Sequence, residues 1–598
     1  MLKTKSRWRI SQHWPKAIVL LFVALLFACG SSATATPQSG GSSSTSPTAK
    51  PAATSAVTAP TAVPQATAEP PAMMKPAGTL NIGQKETGIF EAHPRFVSSP
   101  RIQFTSSTVG EGLVAIQPDL SPGPSLAKSW SISPDYLTWT INLQEGVQFH
   151  KGYGEMTAED VIYSYRQFGE GALHARAGII NRFWSGVEGA TQEAVDNYTV
   201  KVTTPTPWVP VQVFEYMRNL GGSSTWVVSK KQSDEIGAEA ASKNIAATGP
   251  WQIEDFSSGE FWKMSAVRDH WRQTPYFAEM IYWSIPEESA RVAGFQTGNL
   301  DNFDMAFDTI STVDKVPGAK LVSWANSGQA GLNLYGQLYQ TDRDGNPYKD
   351  YDCANAWVSC DADPDSAEWA KTVKVKKALA ISIDRQTLVD TVLSGFGNPL
   401  AFRDWMGFES RMDPSWVHEF DPVLAKQLLT EAGYPDGFTI TLATAIRGAP
   451  SEKEACEAVA QYWEAIGVDV KFQDIPYSTI RPTLITRQFQ GATCHTVSAR
   501  LSPIIGMSNY VKQSTFSYGT EHPWMEEHIS DALEEVDPVK LVAKENEITD
   551  WMFKNVMAFG IYSHDAVWPI GPKVDPKWDQ YDYSENRIAN SFEYAKPR

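Results

Sequence analysis

At 598 residues the chain is too long for one compact core, so two or more domains are expected. Charged residues make up 20% and apolar residues 42%, which places it among soluble globular chains. Its formal charge of −17 argues against nucleic-acid or anionic-membrane binding, both of which need a basic surface. Aromatic residues reach 11%, with 21 Trp, a content that suits large cores or an aromatic-lined cleft.

The first residues are basic: Lys3, Lys5, Arg7, Arg9 and Lys16. Ala17 to Ala28 carries no polar side chain; it is too short to span a bilayer and has the length of a signal-peptide core. It ends Leu26-Phe27-Ala28-Cys29, which resembles the bacterial lipobox, so Cys29 is expected to carry lipid. The alternative is an ordinary signal peptide with a chance cysteine. Removing residues 1–28 takes five positive charges from −17 and leaves −22. Gly30 to Lys75 is Ser, Thr, Ala, Pro, Gly and Gln without Leu, Ile or aromatics, and reads as a disordered tether of roughly 40 Å reach. No later stretch approaches an 18-residue apolar run, so no membrane span is expected.

Leu126 to Val161 carries three local signals in succession. Leu137 to Leu143 alternates, with Trp139 and Ile141 on one face, and reads as a half-buried strand. Gly146 turns the chain, and Val147 and Phe149 resume the alternation. Thr157 stands three residues before Asp160, the spacing of a capping box, ahead of Val161, Ile162 and Tyr165 at helical spacing. On physics alone this is a hairpin feeding a capped helix. Leu-Ala-x-Ser-Trp, Ser-x-Asp, Thr-Trp-Thr-Ile-x-Leu, Gly-Val-x-Phe-His and Thr-Ala-Glu-Asp-Val, in this order, resemble the signature of the extracytoplasmic solute-binding proteins of ABC importers, in the oligopeptide/dipeptide/nickel class. One departure is local: Lys151 replaces the usual Asp, and Tyr153 to Met156 lengthens the loop.

The chain before and after this signature supports the resemblance. Leu80 to Gly83 reads as a strand, and Glu111-Gly112-Leu113 in Ser106 to Leu113 is similar to a family step. Tyr198 to Val202 reads as a strand, Pro207 to Met217 as a helix and Trp226 to Val228 as a strand. Ala247 to Trp251 is similar to a family turn, Arg268 to Trp271 to the end of a family strand pair, and Thr297 to Asp301 to a further family stretch. Ile281 to Ile285 is strand-like, Glu287 to Thr297 helix-like and Asp301 to Phe307 strand-like. Val373 to Leu393 has helical spacing closed by Gly395 and Gly397 and resembles a second family signature. Asp421-Pro422 to Pro435 resembles a third, with Asp421 as N-cap and Gly433 as stop. Phe438 to Leu442 and Val468 to Phe472 read as strands around a helix expected to be capped by Ser451 and Glu454, and Trp551 to Ile561 reads helix-to-strand before a polar, aromatic tail from Asp575.

Besides Cys29 there are Cys353, Cys360, Cys456 and Cys494, and an even number in an exported chain favours disulfides. Four cysteines allow three connectivities. Short spacing makes Cys353–Cys360 the natural local pair, with Cys456–Cys494 then joining a helix to a strand region. A zinc site is disfavoured because no His accompanies the first pair. Asp342 to Asn346 lacks full EF-hand spacing and reads as an acidic surface turn. There is no Gly-x-Ser-x-Gly, no phosphate-binding loop and no zinc-protease motif, so no enzyme and no cofactor are expected.

The resemblance implies an α/β, two-lobe periplasmic-binding-protein-like fold, class II, of the large cluster with an extra subdomain and a ligand cleft between lobes. The expected organisation is a signal peptide at 1–28, a tether at 29–76, lobe I at 77–322 and 566–598, and lobe II at 323–565. It implies a monomeric lipid-anchored binding protein, periplasmic or on the outer face of the cell membrane. Such a protein captures a peptide or other small polar solute and delivers it to permease subunits with their ATPases. A secreted enzyme or a sensory or adhesion lipoprotein on the same scaffold remains the alternative. Arg403, Trp405 and Arg500, with His495 behind them, are the candidate ligand contacts. Relatives hold a peptide amine on an Asp in a Trp-x-x-Asp stretch. The comparable region after Thr493 has no Asp or Glu but has Arg500, which favours an acidic or neutral group there over an amine.

Overall fold

In Thr138–Leu143 the alternation read from the sequence buries Trp139, Ile141 and Leu143 on one face. This strand is inside a four-stranded antiparallel sheet, between Ala127–Ile132 and Thr199–Thr203, with Thr191–Asp196 at the edge. Helix Ala158–Glu170 follows, and Asp160 Oδ2 accepts from both the N–H and the hydroxyl of Thr157 at 2.9 Å. A five-stranded mixed sheet runs in the order Asn302–Phe303, Thr79–Gln84, Glu279–Ser284, Phe261–Ala266, Trp251–Ser257. These are facts of a computed structural model. It describes residues 75–598 apart from 86, 88–89, 91, 98–107, 117–120, 172–176, 185, 187–188, 209, 219–224, 339–352, 447–450, 499, 512–513, 515–517 and 579–591. The export segment, Cys29, nearly all of the tether and the acidic turn at Asp342 to Asn346 lie outside the described residues.

A second lobe is built on a six-stranded sheet. Its order is Gly397–Pro399, Phe559–Ile570, Lys320–Tyr335, Gly491–Ser498, Thr439–Ile446, Asp469–Pro476. The last three strands run parallel, as expected where helices link strands; the others pair antiparallel. Helices Ala367–Ile381, Pro422–Glu431 and Glu452–Ala465 add Val375, Leu379, Leu429, Val459 and Trp463 to this lobe's core.

The long strands Lys320–Tyr335 and Phe559–Ile570 join the lobes. Their register breaks between Trp324 and Gly328, opposite Ala566 and His564, where Asn326 has φ 55°. On one side of the break Val322, Ala566, Trp568 and Ile570 belong to the core that holds Trp139; on the other, Ala330, Leu332 and Ile561 belong to the core of the six-stranded sheet. Cys353–Cys360 and Cys456–Cys494 are disulfide-bonded, with Cα separations of 5.4 and 5.8 Å, and the second ties helix Glu452–Ala465 to strand Gly491–Ser498.

Four local readings are corrected. Val373 to Leu393 is two helices, Ala367–Ile381 and Arg385–Val392, because Asp384 caps a new start by accepting from the Thr387 N–H at 3.0 Å. Ser451 does not cap with its side chain; its φ is 54°, and the buried Glu452 instead accepts from the N–H and hydroxyl of Thr496, each at 2.9 Å. Trp226 to Val228 makes only a bridge from Val228 to Ala247, since Trp226 Nε1 donates to Ala92 O at 2.9 Å and Val227 N to Glu111 O, both outside any sheet. Asp301 to Phe307 keeps strand pairing only at Asn302–Phe303, because Glu288 accepts from the Ala306 N–H and Thr309 hydroxyl and turns the chain.

Candidate functional site

Alternation places Gln329, Gly331 and Asn333 on one face of Lys320–Tyr335, and antiparallel pairing sets Val497, His495 and Thr493 opposite them. Three of these pairs carry a buried polar group, which is unusual for the centre of a sheet. The segment after Gly397–Pro399 covers this face. Leu400 N–H donates to Ile561 O and Gly560 N–H to Ala401 O, which pins Ala401 to Arg403 against the sheet. Gly331 gives the space: a Cβ there would stand 2.4 Å from Arg403 Cδ.

Arg403 is fully buried. Its Nη1 donates to Asn333 Oδ1 at 3.0 Å, and its guanidinium carbon lies 3.7 Å above the Tyr518 ring. Burial works against its charge, but Tyr518 and Asp404 beside it outweigh that and raise its pKa. Nη2 has no hydrogen-bond partner among the described residues. Arg500 is buried and hydrogen-bonds Tyr518, and its pKa too is raised against burial, by Tyr518 and Glu215. His495 lies on the covered sheet face. Trp405 does not join them: its indole packs with Trp416 at 5.5 Å and donates to the Thr549 hydroxyl at 3.0 Å, inside the core. Of the expected contacts, Arg403 and Arg500 thus meet at Tyr518, His495 pairs with Gly331 beneath Arg403, and Trp405 sits in the core.

The structure adds residues the sequence reading passed over. Asp404 has φ 73°, a conformation that costs a non-glycine residue about 1–3 kcal/mol and that clusters at functional sites. Its N–H donates to Gln329 Oε1 at 2.9 Å, and Arg403 Nε stands 3.8 Å from Oδ2. Neither carboxylate oxygen has a hydrogen-bond partner among the described residues. Gly506 lets helix Pro503–Met507 close over it: a Cβ would meet Asp404 Cγ at 2.1 Å. Thus the stretch after Thr493 lacks a carboxylate, but the fold brings one into the same lobe from the Arg403 segment.

The other lobe contributes helix Pro210–Met217. Glu215 Oε1 accepts from Arg218 Nη2 at 2.6 Å and lies 3.6 Å from Arg500 Nη1. Glu215 Oε2, Arg218 Nε, Gln329 Nε2 and the Tyr510 hydroxyl have no hydrogen-bond partners among the described residues, although all are buried. Each such atom costs about 1–3 kcal/mol unless something polar meets it. Three guanidiniums and two carboxylates from both lobes thus stand close together, with donors and acceptors left over. That arrangement can hold a polar solute bearing both kinds of group. Among the described residues no group of His, Cys, Asp and Glu is placed to hold a metal ion. A signal for the missed residues was present: Glu215 and Arg218 are the only charges in an apolar helix end, and Asp404 sits between Arg403 and Trp405 in an otherwise apolar stretch.

Residues 121–518, about two thirds of the chain, match the description "Bacterial extracellular solute-binding proteins, family 5 Middle". Heme-binding protein A of Haemophilus influenzae is 25% identical over 370 residues, 58% of this chain and 60% of that protein. Glutathione-binding protein GsiB of Salmonella paratyphi A is 25% identical over 344 residues, 57% and 59% of the two chains. The chain thus spans about three fifths of the length of these curated relatives. Among solved structures, DppA of Helicobacter pylori with the peptide STSA superposes with TM-score 0.68 at 19% identity, over 87% of this chain and 99% of that one. The oligopeptide-binding protein AppA of Bacillus subtilis with a nonapeptide gives 0.70 at 18%, over 88% and 100%. The two-lobe fold is common to them, and this chain belongs to the bacterial extracellular solute-binding proteins of family 5.

Proposed function

We propose that this chain is the substrate-binding component of an ABC importer, which captures a peptide or similar polar solute between its lobes and hands it to a membrane permease. The observation that carries the reading is the buried cluster of Arg403, Asp404, Glu215, Arg218 and Arg500, assembled from both lobes with polar atoms left unpartnered. The names of the relatives, which bind glutathione, heme or peptides, support a solute of that class. Asp404 suits an ammonium or amide donor and Arg403 and Arg218 a carboxylate, so the solute carries both. Closure turns about the register break at Trp324 to Gly328 and His564 to Ala566, close to the lobe boundaries expected at 322/323 and 565/566. The solute shifts the equilibrium toward the closed form by binding it more tightly. The protein is a carrier and turns nothing over, and Cys29 holds it to the membrane by lipid.

Native mass spectrometry of the purified protein identifies a co-purified solute. Tryptophan fluorescence then follows its titration, with glutathione and Met-Leu as standards. Saturable binding by the wild type, weakened on the order of tenfold to a hundredfold by Arg403→Gln, is the expected result. Absence of any saturable solute, or chemical conversion of one, defeats the reading. Cys29→Ser should move the protein into the soluble fraction.

A further inference from the structure

Glu215 and Arg500 belong to different lobes. Glu215 ends the helix Pro210–Met217, whose Phe214 packs 5.2 Å from Trp130 and 5.8 Å from Trp139 in the first lobe. Arg500 follows the strand Gly491–Ser498 of the six-stranded sheet. Arg218 holds Glu215 at 2.6 Å from within its own lobe, three residues on, whether or not the other lobe is near. Arg500 reaches the same Oε1 at 3.6 Å only across the lobe boundary. Next to it Leu501 joins the apolar core of the first lobe, as does Met406 from the Arg403 segment.

We propose that the Glu215–Arg500 pair, together with the apolar contact that Leu501 and Met406 make with the first lobe's core, is a latch that holds the lobes closed, so that Arg500 is a positioning residue for closure and not a ligand anchor. The inference rests on the reading of this chain as a closing two-lobe binder. Glu215 is fully buried, so the attraction between the two charges is little screened once the lobes meet. The same burial makes the pair demanding of geometry, since two desolvated charges repay their lost hydration only when well placed. Arg218 supplies that placement by keeping the carboxylate aimed along one direction. Opening returns both charges to water and breaks the apolar contact in the same motion. The latch therefore biases the closed form independently of any solute, and the solute's own contacts fall to Asp404, Arg403 and Arg218.

The test is small-angle X-ray scattering on the mature chain, freed of solute by denaturation and refolding. Wild type, Glu215→Gln, Arg500→Gln and the double variant are compared, with circular dichroism confirming the fold of each. Each single variant should lower the closed population on the order of tenfold and raise the radius of gyration, since removing one partner of a buried pair costs at least that factor. The double variant should match the singles, because the second removal has no pair left to break. Leu501→Ala, which leaves every charge in place, should open the protein too, and it serves if a charge variant fails to fold. Single variants as compact as the wild type, effects that add in the double variant, or a wild type already as open as the variants each overturn the latch. Arg403→Gln separates this from the binding reading: it should stay as compact as the wild type while losing affinity for glutathione or Met-Leu. If native mass spectrometry and titration find no saturable solute for any chain and the latch variants still open, the binding reading falls and the latch stands.

Discussion

Glu545 and Asp404 are both buried acids of the second lobe, and they are treated in opposite ways. Glu545 is fully enclosed, and its oxygens are used: Oε1 accepts from the Ser502 hydroxyl and from the Ile504 N–H at 3.1 Å, and Oε2 pairs with Arg411. It holds the start of helix Pro503–Met507. Asp404, packed under the same helix, has a strained backbone and two oxygens without hydrogen bonds among the described residues. Glu111 in the first lobe follows the first pattern, accepting from Trp271 Nε1 at 2.8 Å and Arg272 Nε at 3.1 Å. A buried charge whose bonds are complete serves the fold. One left incomplete, at a cost to the fold, is kept for something else.

Substitutions order themselves along that contrast when their effect on stability is read by urea unfolding. Glu545→Ala strands Arg411 and the Ile504 N–H and should cost about 3–5 kcal/mol; a loss under about 1 kcal/mol would erase the distinction. Lys376 is the test from the cationic side. It is buried, lies 4.9 Å over the Trp369 ring, reaches only Met557 Sδ at 3.6 Å among the described residues, and has its pKa pushed down to about 7 by burial. Between pH 7 and its unfolded value near 10.5 the unfolded chain holds a proton that the folded chain does not, so stability rises with pH across that window. Lys376→Met should remove that slope and gain about 1–3 kcal/mol at pH 7 or below. The buried His93, His150 and His418 act on the acid side. Burial lowers the first two to about 4 and the third to about 3, so stability should fall as the pH drops from 6.5 toward 4, seen as a falling melting temperature. Asp404→Asn should change stability by less than about 1 kcal/mol, in either direction, while weakening solute binding; a large loss of stability would place Asp404 with Glu545. Lys128→Ala, which breaks the exposed pair with Glu145 at 2.8 Å, should move stability by no more than about 0.5 kcal/mol.

Much of the fold was legible because its signals are local. The Trp139 alternation, the Thr157–Asp160 box and the Asp421-Pro422 start depend on residues a few positions apart, and the structure keeps them. Readings failed where a partner outside the local stretch intervened: Ala92 claims the indole of Trp226, and Glu288 claims the Ala306 N–H and turns the chain after Phe303. The site was half legible for the same reason. Arg403 and Arg500 could be singled out as lone cations in apolar stretches. Arg403 meets Tyr518 from more than a hundred residues away and Glu215 meets Arg500 from nearly three hundred, while Asp404, beside Arg403 in the chain, is marked only by its φ and burial.

Both ends of the described chain are fastened to the same lobe. Ala77 N–H donates to Tyr276 O at 3.0 Å, Asp575 N–H to Lys596 O at 2.8 Å and Arg598 N–H to Lys573 O at 2.9 Å, while Arg272 ties Glu111 to Glu593. The six-stranded lobe is thus an insertion carried on two strands, with neither end of the described chain upon it. A fluorophore attached beside Ala77 or Lys596 reports on one body only, whereas a second dye on the exposed face of helix Pro422–Glu431 rides the other. Energy transfer between them would read any swing of one body against the other as a distance.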